Sequence, residues 1–288
     1  MIELSYADAN SGKANFEWTY NQLDPRAYHS ALGNFDYDIP ERAAPVFRRI
    51  FAALRRCRRL DCITAVDLGC SYGINATLLK HDLSMADLRA HYASFPAGAS
   101  PREVLAVDQK IFAPDKARGD LKVLGLDRAQ FATAYAYWAG TLDGAIAENL
   151  EEDDPSTQAA RTLCDCDVII STGTVGYIGM PSFERIIAAT SHKAQPWIAS
   201  FVLRMFDYAP IAERLSDQGY VTQKLEGVYF EQRRFVDSRE QAHVEGILRQ
   251  RGLDPAGLES EGSYVAECFV SRPQGDAAIA DLGQILPV

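Results

Sequence analysis

The chain has 288 residues, 47% of them hydrophobic and 24% charged, with a formal net charge of −10. That length suits one large α/β domain, or one domain with a lid, and the acidic balance argues against a nucleic-acid groove, which needs clustered positive charge. The apolar runs fall short of the ~20 residues of a membrane span, and the first thirty residues lack the basic start and apolar block of a secretory signal, so the expected setting is the cytoplasm and the expected partner a small molecule.

Residues 1–40 are irregular and rich in aromatics, among them Tyr6, Phe16, Trp18, Tyr20, Tyr28, Phe35 and Tyr37. They are expected to form a lid segment ahead of a catalytic domain spanning 41–288. Over 44–60, Val46, Phe47, Ile50, Phe51, Leu54 and Cys57 make an apolar stripe of helical period, with the arginines from Arg48 to Arg59 mostly off it. Residues 63–73, ITAVDLGCSYG, read as a strand and a tight turn, and INATLLKHDL after them as a helix. Residues 82–120 read as an insertion with a helical piece and a loop rich in proline, glycine and lysine. A second strand is KVLGLD at 122–127, followed by a helix, and a third short strand falls near 144–150. The fourth is CDVIIS at 166–171, leading into TGTVGYIGM and a helix from Pro181; the fifth spans 197–206. After a helix near 210–218, two closing strands flank a helix at about 238–251. Strands that alternate with helices imply a mostly parallel sheet with helices on both faces. Cys57, Cys62, Cys70, Cys164, Cys166 and Cys268 are too sparse for a disulfide scaffold, and the C-x-C at 164–166 has no second pair at matching spacing. Reduced thiols and no metal are expected.

The run Asp67-Leu68-Gly69-Cys70-Ser71-Tyr72-Gly73 admits three readings. As a dinucleotide fingerprint, G-x-G-x-x-G, it offers Gly69 but Ser71 and Ile74 where glycines belong. As a nucleophile elbow, Gly69-Cys70-Ser71-Tyr72-Gly73 matches G-x-S-x-G, yet no convincing strand precedes 63–68, and His192 and His243 sit in helical contexts. The third reading is a resemblance: an acidic residue, one spacer and a glycine-rich turn resemble the first motif of the class I S-adenosylmethionine (SAM)-dependent methyltransferases, with Ser71 at the usual middle glycine. It extends over roughly 41–273.

The resemblance implies a Rossmann-like, seven-stranded, mostly parallel sheet with an aromatic N-terminal lid and an insertion after the first βα unit. It implies SAM as cosubstrate, held by Asp67, Gly69, Cys70, Ser71 and Gly73, with Asp127 and its neighbour Arg128 at the ribose and Asn149-Leu150 at the adenine. Thr172, opening the STGTVGY segment, would lie beside the sulfonium. Plainer roles stay open: a tight turn for 69–73, a strand end for Asp127, a turn for Asn149.

Tyr177 is the candidate to face the sulfonium, since an aromatic face attracts a cation; the alternative is packing in the core. Tyr20, Arg26 and Tyr28 of the lid would enclose SAM, Arg26 taking its carboxylate, while Tyr37 and Tyr177 would meet the acceptor; the alternative is a packed arm. Arg204, inside an apolar strand, needs a partner, either a substrate carboxylate in a catalytic role or a structural ion pair. No N-P-P-Y or D-P-P-Y follows the fourth strand, so the expected reaction is methyl transfer to a small molecule, of specialised metabolism, by a monomer or homodimer. The alternative is attack of SAM's own α-amine on its γ-carbon, giving azetidine-2-carboxylate and methylthioadenosine. A third is a SAM-binding protein without catalysis.

Overall fold

From Trp197 to Leu203 every residue is buried, and Ala65 to Leu68 and Val168 to Ser171 are too. Strands covered by helices on both faces carry such unbroken apolar runs, where half-exposed strands alternate. The computed structural model describes residues 6–190 and 193–286. Its strands are β1 (Ile63–Leu68), β2 (Leu121–Leu126), β3 (Gly144–Ile146), β4 (Val168–Thr172), β5 (Trp197–Leu203), β6 (Tyr220–Lys224), β7 (Phe230–Arg234) and β8 (Ser263–Pro273). Among the described residues they form one sheet in the order β3-β2-β1-β4-β5-β8-β6, with β7 also paired to β8. β1 to β5 are mutually parallel, and β8 runs against β5, β6 and β7. This is the Rossmann-like, mostly parallel architecture that the methyltransferase resemblance implies. The strands number eight because 220–235, expected as one strand, turns at Gly227 (φ 73°) and gives β6 and β7.

The helices that matter for the site are α1 (Tyr6–Asn10), α2 (Arg26–Gly33), α3 (Ile39–Arg58), α4 (Ile74–Lys80), α5 (Met85–Ala93), α6 (Pro101–Ile111), α7 (Gln130–Ala139), α8 (Thr157–Leu163), α9 (Met180–Ala189), α10 (Ala209–Asp217) and α11 (Ser238–Gln250). α3 starts before the stripe that predicts it because Pro40 stands in its first turn, where a missing N–H is harmless. It buries Ile39, Ala43, Phe47, Ile50 and Leu54 against the sheet. The insertion holds two helices where one was expected. Each opens on a serine capping box, Ser84 with Asp87 and Ser100 with Glu103, in which side chain and backbone satisfy each other's donors. α5 packs on α2 and α6 on α7, so insertion and N-terminal segment meet. α4 is buried along its whole length, its Lys80 ammonium reaching Asp143 at 2.9 Å. No helix among the described residues is long and apolar enough to cross a membrane.

Right-handed crossovers put the connections that follow β1 and β2 on one face and those that follow β3, β4 and β5 on the other, where α8 packs on α9. The chain therefore leaves β1 toward β2 and β4 toward β5, while β1 and β4 lie side by side. In open α/β sheets the ligand crevice lies beyond the carboxyl ends of two such strands.

Candidate functional site

The two loops that border this crevice are 69–73 and 173–177. Gly69, Ser71 and Gly73 all have left-handed backbones, with φ of 77°, 46° and 69°. Ser71 thus takes the conformation of the glycine it replaces, which strains an L-residue by about 1–2 kcal/mol. Its N–H donates to Asp127 Oδ2 at 2.8 Å, and that bond holds the turn. Gly69 has no room for a side chain: a Cβ there would stand 2.5 Å from Thr174 Cγ2. Thr174 Oγ1 donates to Leu68 O at 3.1 Å, locking the loop after β4 onto the turn after β1.

Asp67, one residue before the end of β1, is fully buried. Asn75, in the first turn of α4, donates from Nδ2 to Asp67 Oδ1 at 2.9 Å and to Thr172 Oγ1 at 3.1 Å. Burial pushes the Asp67 carboxyl up to about 7, against the lowering effect of the Asn75 bond and with the nearby Asp127 adding to the rise. Asp67 Oδ2, Asn75 Oδ1 and Ser71 Oγ are buried with no hydrogen-bond partner. An unpartnered buried polar atom costs about 1–3 kcal/mol, and these three come from the end of β1, the turn and the start of α4. Asp127, just past β2, accepts from Ser71 N and, at 2.9 Å, from Ala129 N, one bond to each carboxylate oxygen. Each oxygen keeps a lone pair for a further donor. Cys70 is buried, and burial, with Asp127 and Asp67 nearby, raises its thiol well above the ordinary value.

The N-terminal segment lies over the turn. Tyr72 binds it in three places: its hydroxyl accepts from Gln22 N at 2.8 Å and faces the carbonyls of Thr19 and Gln22 at 3.1 and 3.2 Å. Tyr28 is buried, edge-on to Tyr20, Tyr37 and Tyr72 at centroid distances of 5.5, 6.2 and 5.7 Å. Tyr37 engages Tyr28 and Gln232, and burial holds its hydroxyl up at about 12. Phe131 N donates to Asn21 Oδ1 at 2.8 Å, and Arg128 reaches Glu17 at 2.7 Å across the exposed rim.

No protein-family model matches the chain, and no curated protein matches it. Solved structures do. A SAM-dependent methyltransferase from Aquifex aeolicus is 12% identical, with 90% of this chain and 99% of that one covered and a TM-score of 0.39. The cyclopropane-fatty-acyl-phospholipid synthase-like protein of Lactobacillus casei ATCC 334 is 12% identical over 85% of this chain and 97% of that one, TM-score 0.39. The magnesium protoporphyrin IX methyltransferase of Synechocystis PCC 6803, with bound SAM, is 13% identical over 93% and 89%, TM-score 0.37.

Of the residues expected at the site, Asp67, Gly69, Cys70, Ser71, Gly73, Asp127 and Thr172 surround the crevice, with Tyr20, Tyr28 and Tyr37 above it. Others stand elsewhere. Arg26 Nε and Nη2 donate to Asp24 Oδ1 and Oδ2 at 2.8 and 2.9 Å, an ion pair within the N-terminal segment. Arg204 is buried in an ion pair with Glu259, and its second amino group donates to Asp254 O at 3.0 Å, which corrects the catalytic role to the structural one. Arg128 lies on the surface. Asn149 Oδ1 accepts from Glu151 N at 3.2 Å, so its side chain shapes its own turn, and Leu150 is buried beneath, its carbonyl held by Arg185. Tyr177 is 58% exposed and packs in no core. His192 lies outside the described residues, and His243 meets Ala9 O at 2.9 Å. No histidine bonds the Ser71 hydroxyl among the described residues, so the elbow reading lacks its base. No group of three or more His, Cys, Asp or Glu side chains is placed to hold a metal among the described residues.

Asn75 and Gln232 escape the sequence reading. Asn75 had a faint signal, a polar residue one position into a helix otherwise apolar until Lys80 apart from Thr77. Gln232 has none, since no proline or change of composition separates β7 from β6.

Proposed function

We propose that the chain binds SAM at the carboxyl ends of β1 and β4 and transfers its methyl group to a small molecule. The observation that carries this is the set of unpartnered atoms on the first turn beside Asp127: Asp67 Oδ2, Asn75 Oδ1 and Ser71 Oγ. An α-ammonium brings three donors and a positive charge, which suits a buried carboxyl and an amide oxygen. A ribose diol brings two donors to Asp127, whose oxygens already hold the turn that the nucleotide would cross. SAM supplies a methyl group on a sulfonium, and the chain's part is to hold it in line with a nucleophile at about 3–3.5 Å. Thr172 and Thr174 fix the loop that borders the sulfur, and the tyrosines of the N-terminal segment exclude water above it.

The test is incubation of the purified chain with SAM, read by calorimetry and mass spectrometry. The reading requires binding. It further requires that Asp127→Ala weaken SAM at least tenfold, and that candidate small molecules yield S-adenosylhomocysteine. Unchanged affinity in Asp127→Ala removes the ribose assignment. Methylthioadenosine and a four-carbon cyclic amino acid formed from SAM alone would replace methyl transfer by intramolecular cyclisation.

A further inference from the structure

Beyond the first turn, the segment after α1 carries a lysine in an unusual place. Lys13 Nζ lies over the ring of Tyr177 at 4.7 Å, of Phe206 at 5.4 Å and of Tyr264 at 5.6 Å. No carboxylate comes within 4.0 Å of it among the described residues. Its nearest cation, Arg233, stacks on Tyr264 at 4.6 Å and spends its charge on Glu240 through bonds of 2.6 and 3.0 Å. The rings are fixed without Lys13. Phe206 lies against Gly176, where any Cβ would stand 2.5 Å from the ring, and Tyr264 is buried in β8. Tyr177 closes the loop whose Thr174 touches Gly69, three residues from the crevice.

We propose that Tyr177, Phe206 and Tyr264 form a binding site for the ammonium group of the small-molecule acceptor, and that Lys13 fills it in the free protein. The proposal deepens the methyl-transfer reading and rests on it. Three aromatic faces, with the nearby Glu240 carboxylate already engaged by Arg233, Ala14 N and Val236 N, select a large, weakly hydrated organic cation over a metal ion. Lys13 is a replaceable occupant. It rides on an arm held from outside the core, by Asn10 Nδ2 on Gly176 O and by Ala14 N on Glu240 Oε1, each at 2.8 Å. Burial, and after it the charge of Arg233, pushes the Lys13 amine down to about 7, with Glu240 opposing; close to neutrality it is half discharged and holds the rings weakly. Tyr177 and Tyr264 are the other titratable groups facing it, and burial raises both.

The experiment titrates tetramethylammonium into the full chain, with and without SAM, for the wild type and for Lys13→Ala, with thermal melts to certify folding. Lys13→Ala should bind the probe at least tenfold more tightly than the wild type, equally well in the presence of SAM, and Lys13→Ala/Tyr177→Ala should lose it. A second readout needs no variant: wild-type affinity should rise as pH passes upward through 7 and the lysine gives up its charge, while Lys13→Ala stays flat. Equal affinity for wild type and Lys13→Ala, or a flat wild-type pH profile, overturns the proposal. Displacement of the probe by SAM overturns it too, assigning the rings to the sulfonium. If SAM fails to bind while the probe does, the ring site stands and the SAM reading falls.

Discussion

At the scale of single residues, the chemistry of the crevice turns on Asp67. A buried carboxyl held up near 7 by desolvation is partly protonated in the free protein at neutral pH. An ammonium placed against its unpartnered oxygen favours the ionised form, so SAM binding near pH 7 should expel protons. Calorimetry in two buffers of different ionisation enthalpy measures this directly. We expect a release of a sizeable fraction of a proton near pH 7, fading at pH well above 7, and absent in Asp67→Asn. Identical heats in the two buffers would mean that the ammonium does not meet Asp67. The residues that make this site were unevenly legible in the sequence. Asp67 and the left-handed turn announce themselves because acid, spacer and glycine must be consecutive to act, and Asp127 because it closes the apolar run of β2. Asn75 and Gln232 act through space, from a helix and from a strand distant in the chain, and nothing in their neighbours marks them.

At the scale of elements, the N-terminal segment is tied to the crevice by few bonds, and Tyr72 makes the central ones. A single hydrogen bond is worth about 0.5–1.5 kcal/mol net. Tyr72→Phe removes the hydroxyl shared by Gln22 N and the Thr19 and Gln22 carbonyls while keeping the ring that packs on Tyr28. The expected result is amide exchange over residues 16–24 faster by roughly three- to tenfold, since ~1.4 kcal/mol is a factor of ten, with the sheet unchanged. Exchange that stays slow would show that the ring packing, and not the hydroxyl, holds the segment. The same scale shows what patterning conveys. Strands β1, β2, β4 and β5 are apolar runs bounded by turns and were readable as such. The break between β6 and β7 was not, because Leu225-Glu226-Gly227 interrupts one polar-apolar stretch without a proline or a change of composition. The second helix of the insertion was masked by the prolines and glycines before it, although its capping box, Ser100 to Glu103, is a sequence signal.

For the molecule as a whole, stability against acid should depend on a group within the N-terminal segment that takes no part in the proposed chemistry. His29, in α2, is buried, stacked on Tyr92 of the insertion at 4.5 Å, and both its ring nitrogens lack partners. Burial, and secondarily Arg89, pushes it down to about 3. The unfolded chain takes up this proton as pH falls below the ordinary value near 6.5, whereas the folded chain does not until about 3, so stability is lost across that window. By pH 4 the loss has an upper bound of about 3 kcal/mol, at ~1.4 kcal/mol per pH step. His29→Phe keeps the stack and removes the titration. The gap in melting temperature between the variant and the wild type should widen from pH 7 to pH 4, and parallel curves would show that His29 reaches water or a donor.

The placement of β8 also has a consequence for how the molecule comes into being. β5 sits in the middle of the sheet, yet one of its edges is covered only by Ala266–Ser271, near the end of the chain. During synthesis, the apolar run from Trp197 to Leu203 emerges well before its partner and presents an unpaired, hydrophobic edge of the kind that recruits other strands. β6 and β7 have no place in the sheet until that same strand arrives. A chain cut before residue 263 should therefore expose that edge and aggregate instead of folding as a smaller unit, which sedimentation of the truncated protein checks.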